Sequence, residues 1–109
     1  MENPVPNYQV QINGQNFVVE MNGRVAKHGF FTVRVVEASD PAAAETAAVQ
    51  RVRETEHLRK LVRNGPDDPP IMEVTEMVEL DPEVPTKDLE TGFAWYEDPP
   101  KRWWQFWRR

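Results

Sequence analysis

Cysteine is absent from the 109 residues. That removes disulfides, thiolate metal sites and cysteine nucleophiles together, and leaves nothing that points to an oxidising compartment. Glycine is scarce: the five present are scattered as turn candidates, with no glycine-rich phosphate loop among them. Histidine is limited to His28 and His57, so few side chains titrate near neutral pH. No apolar run approaches the length of a membrane-spanning helix. The opening MENPVPNYQ has neither the basic stretch nor the apolar core of a secretion signal. The expectation is a cytoplasmic protein. Asp67-Asp68 lacks the alternating ligands, central glycine and terminal glutamate of a calcium loop. No metal, no cofactor and no small-molecule substrate are expected.

What is present is ordinary globular chemistry with one exception. Hydrophobic residues make up 39% and charged residues 28%, which is enough to build one small core and argues against wholesale disorder. Nine of the ten prolines lie within positions 4–6, 66–70, 82–85 and 99–100, between the candidate elements, and the tenth is Pro41. The exception is charge placement. The net charge is −5, yet the last nine residues, KRWWQFWRR, hold four cations and no acid. Positions 1–100 therefore carry nine cations against 18 carboxylates, a balance of −9. An acidic body argues against nucleic acid as a partner of the whole domain.

The stretch from Gly29 to Leu80 organises the chain as strand, helix, strand. Before it, Tyr8, Val10 and Ile12 alternate with Gln9 and Gln11, and Phe17, Val19 and Met21 alternate with Val18 and Glu20. Asn13-Gly14 between them predicts a tight hairpin turn, and Asn22-Gly23 is a second candidate. Residues 30–37 predict a central strand, with Phe31, Val33 and Val35 on one face and Phe30, Thr32, Arg34 and Val36 on the other. Asp40-Pro41 predicts a capped helix start. An apolar stripe through Ala44, Ala47, Ala48, Val52, Thr55, Leu58 and Val62 carries the helix to about residue 62, unless it breaks near Thr55. Residues 71–80 alternate again, but Glu76 and Met77 fall on the wrong faces, and a bulge near Thr75 reconciles the two halves. GFAWYE, residues 92–97, is a short last strand.

The predicted order is β-β-β-α-β-β. The fold class is α+β, a two-layer sandwich whose mostly antiparallel sheet is covered on one face by one long helix. Residues 1–7 read as a flexible N-terminus, 8–100 as a single domain and 101–109 as a Trp/Arg-rich tail.

Candidate chemistry is thin. His28 and His57 read as solvent-exposed imidazoles with no nucleophile motif beside them. Glu37, Glu73, Thr75 and Glu79 read as a solvated strand face, since nothing in the sequence shifts a carboxyl pKa. Glu76 is a candidate ion-pair partner for Arg34 or Arg51. The tail is the strongest feature: Arg102, Trp103, Trp104, Phe106, Trp107 and Arg108 combine large rings with cations. A sheet with one helix leaves a face open, and Phe30, Val36 and Trp95 are the candidate patch on it. Three function classes follow. The leading one is a non-catalytic protein-interaction or homodimerising module that uses the open face and the tail. The alternative is a peripheral membrane or single-stranded nucleic-acid contact through the tail. The last is a small enzyme completed across a dimer, with His28 or the Glu37/Glu73/Glu79 face at its site.

Overall fold

The computed structural model describes residues 5–97, which form an α+β fold. A four-stranded antiparallel sheet carries one main helix on one face. The strands are β1 (Asn7–Met21), β2 (Arg24–Glu37), β3 (Ile71–Leu80) and β4 (Ala94–Glu97), and the helices are α1 (Pro41–Arg53) and α2 (Glu56–Leu61). The sheet order is β3-β1-β2-β4. Both β2 and β3 pair antiparallel with β1, so the β2–helix–β3 crossover joins two strands of the same direction with β1 between them.

The two short strands expected before Arg24 are one long strand, and the hairpin turn is the second Asn-Gly. Asn22 and Gly23 both hold positive φ, 55° and 78°, as a primed turn requires. At Asn13-Gly14 the chain runs straight on. Gln15 and Asn16 together face the single residue Gly29, a bulge with Asn16 at φ 60°. That extra residue corrects the parity, so Tyr8, Val10 and Ile12 and then Phe17 and Val19 all enter one core. Gly14 has a different task from turning the chain: the ring of Phe30 lies where its side chain would be.

β3 has the bulge its pattern demanded. Gln11 faces Glu76 and Ile12 faces Val74, leaving Thr75 unmatched. Met72, Val74 and Met77 thereby share the core side.

The predicted helix start is observed: Asp40 Oδ1 accepts the Ala43 N–H at 2.8 Å, with Pro41 in the first position. The helix breaks at Glu54-Thr55, so the second of the two helix readings holds. Thr55 is extended, and its hydroxyl donates back to the Arg51 carbonyl at 3.1 Å, an interaction that bends or ends helices. Ala44, Ala48 and Val52 of α1 and Leu58 of α2 are buried on the sheet. The alanines let the helix backbone approach closely. Toward β4 the same face is filled by rings: Phe30 meets Phe17 at 5.0 Å, Phe93 at 4.9 Å and Trp95 at 5.2 Å between centroids.

Candidate interaction surface

The β2 register decides which side chains are available. Its even-numbered residues, Phe30, Thr32 and Val36, are buried beneath the helices. Phe30 and Val36 are therefore core residues, which corrects their expected place on an exposed patch, and Trp95 is half-buried against Phe30. The odd-numbered residues Phe31, Val33 and Val35 point to the other face, which no helix or strand of the described residues covers.

Three parallel stripes make up that open face. On β2 run Phe31, Val33 and Val35, with Phe31 41% exposed. On β1 ahead of its bulge the outward positions are all amides: Asn7, Gln9, Gln11, Asn13 and Gln15. On β3 lie Ile71, Glu73, Glu76, Val78 and Leu80, opposite Gln15, Asn13, Gln11, Gln9 and Asn7, with Ile71 and Val78 both exposed. An apolar stripe, an amide stripe and a stripe with two carboxylates between apolar ends thus lie side by side. The alternating Gln9 and Gln11 were visible in the sequence; that the alternation extends from Asn7 to Gln15 was hidden by reading a turn at Asn13-Gly14.

One end of the face is closed by Tyr96. Its ring lies over Gly29, where a Cβ would collide with it, and its hydroxyl accepts from Asn13 Nδ2 at 2.8 Å. Asn13 is buried there, also donating to the Phe30 carbonyl at 3.0 Å and accepting from Gln15 Nε2 at 2.7 Å. Beside Phe31 the face dips into a groove of about 440 Å³ between β2 and residues 91–94, lined by Gln11, Phe31, Val33, Thr91 and Ala94.

The free edge of β2 beyond β4 is closed by side chains. Thr91 donates its N–H to the Val33 carbonyl at 3.2 Å and accepts the Val33 N–H on its hydroxyl at 3.0 Å. Glu90 accepts the Val35 N–H at 2.9 Å, and Arg51 donates to the Val35 carbonyl at 2.8 Å. Arg51 and Glu90 also form an ion pair. This pairing holds the Glu90 carboxyl below its ordinary pKa and raises that of Arg51. Glu76 therefore has neither expected partner: Arg51 is taken by Glu90, and Arg34 donates to the Thr32 hydroxyl and the Thr91 carbonyl, both at 2.7 Å.

The candidate catalytic groups do not assemble. His28 is 7% exposed, against the expectation of a solvated ring, because its β2 position faces the core. Its Nδ1–H donates to the Ala26 carbonyl at 2.9 Å, and its ring stands edge-on to Trp95. A cleft of about 320 Å³ adjoins it, lined by Met21, Arg24, Trp95 and Glu97 among others but by no hydroxyl nucleophile other than Tyr96. Glu97 in that cleft is paired with Arg24. The Thr75 bulge sends Glu79 to the helix side, away from Glu73. His57 is exposed on α2. Among the described residues no three His, Asp or Glu side chains are placed to hold a metal ion. The tail residues Arg102, Trp103, Trp104, Phe106, Trp107 and Arg108 lie outside the described residues.

Searches against protein-family models, curated proteins and solved structures returned no match.

Proposed function

We propose that this chain is a non-catalytic interaction module that pairs with a second copy of itself through the open face of its sheet. The observation that carries the reading is the apolar stripe Phe31, Val33 and Val35 with Val78 across the amides, on a face that no described element covers. Stranded apolar side chains of this kind mark interfaces. The hydrogen-bonding amides between them suit a surface that is wetted when alone and paired when docked. The −9 balance of positions 1–100 works against anionic lipid or nucleic acid on this face.

Sedimentation across the micromolar range tests it. The wild-type chain is expected to approach twice its 12.7 kDa mass, and Val33→Glu to remain at the monomer mass with unchanged secondary structure by circular dichroism. A wild-type chain that stays monomeric throughout that range defeats the reading.

A further inference from the structure

We infer that residues 101–109 of one copy lie on the open sheet face of the other. This rests on the self-association reading and names the segment that completes the contact.

Area is the first argument. Three long strands about 4.8 Å apart and paired over some nine residues, with the short β4 at one edge, present a face of at most roughly 15 by 30 Å, about 450 Å² in projection. A stable pair ordinarily needs about 800 Å² from each partner. The face falls short alone. Each tryptophan buries about 150–250 Å², and the tail holds three, Trp103, Trp104 and Trp107.

Chain direction is the second. β4 runs from Ala94 beside Phe31 to Glu97 beside His28, so the chain is moving away from Val33 and Val35 when it leaves the sheet. The Arg24–Glu97 pair anchors that exit. Asp98-Pro99-Pro100 follows. A residue before proline disfavours the helical region, and consecutive prolines favour an extended left-handed helix. To lie over Val33 and Val35 of its own sheet the chain would have to reverse direction beyond Glu97. The nine residues beyond span up to about 30 Å, the length of the face.

Complementarity is the third. The tail has Lys101, Arg102, Arg108 and Arg109 and no acid. The face has Glu73 and Glu76 on β3 and Glu37 at the end of β2, none of them in an ion pair among the described residues. The groove beside Phe31 offers apolar walls and the Gln11 amide, a partner set for an indole ring and its N–H.

Mixing two full-length charge-reversed chains tests the inference. Arg102→Glu/Arg108→Glu and Glu73→Lys/Glu76→Lys are each expected to dimerise at least about tenfold more weakly than wild type. Mixed one to one, they are expected to regain a dimer, since one reversed tail then meets one reversed face. Full-length Trp95→Phe, whose emission comes from the tail tryptophans alone, is expected to shift to the blue as the dimer forms. A tail variant that dimerises like wild type, while Val33→Glu does not, overturns the inference and leaves the self-association reading standing. A monomeric wild type defeats both. Blue emission independent of concentration, with no rescue on mixing, places the tail on its own copy and overturns the inference. So does binding to phosphatidylserine vesicles that Trp103→Ser abolishes without touching the dimer.

Discussion

Gly14 and Gly29 both lie inside long strands with a ring where a side chain would be, yet they differ in tolerance. A methyl group added at Gly14 would meet the ring of Phe30, which is fully buried in the centre of the core. One added at Gly29 would meet the outer end of Tyr96, a half-buried ring at the edge strand that can swing outward. Overpacking a core costs about 1–3 kcal/mol. Gly14→Ala is expected to lie at the upper end, about 3 kcal/mol, and Gly29→Ala near 1 kcal/mol, both read from urea denaturation midpoints. Equal losses would mean that Phe30 has room to move. None of this was legible at residue level. Asn13-Gly14 and Asn22-Gly23 are the same dipeptide, and local turn chemistry cannot rank them. Tertiary packing does, because only the second turn lets Ile12 and Phe17 share a core with Phe30.

Most elements were legible because their signals are periodic. The bulge at Thr75 followed from the parity slip at Glu76 and Met77, and the helix start followed from Asp40-Pro41. The edge closure of β2 was not legible, since it joins Val35, Arg51 and Glu90, which are far apart in sequence and unremarkable singly. It makes a prediction for pH. The folded-state pKa of Glu90 is lowered chiefly by its bond from Arg51. A depressed carboxyl stabilises the fold fully above its unfolded value of about 4.3 and loses that contribution as pH falls through the folded value. Glu90→Gln is therefore expected to cost about 1 kcal/mol at pH 7, a modest figure because both side chains remain more than a third exposed. The gap between wild type and variant should close as pH drops from about 5 to 3. A gap that stays constant over that range would assign the loss to the Val35 hydrogen bond alone and not to the ion pair.

At the scale of the whole molecule, stability should be graded by position in the sheet. β1 is flanked by β2 and β3 and buries Val10, Ile12 and Val19 completely. β4 has four residues and one partner. Where β1 runs past the end of β3, its side away from β2 is supported by Val62 to Asn64, through the Val19–Val62 bridge and the Arg63 N–H to Val18 carbonyl bond at 2.7 Å. Local opening follows few contacts and exposed backbone bonds. Amide exchange in the native state is therefore expected to be slowest at Val10 and Ile12, intermediate at Val18 and Val19, and fastest in β4 and at the Asn22-Gly23 turn. The same experiment bears on the open face. The Phe31–Ala94 end of the β2–β4 ladder sits beside the proposed contact, so protection of β4 should rise with protein concentration while that of Val10, already limited by global unfolding, rises only as the dimer itself stabilises the fold. Concentration-independent protection in β4 would mean that the sheet edge gains no support from a second copy. The apolar stripe of β2 would then have to be covered by something other than a second copy.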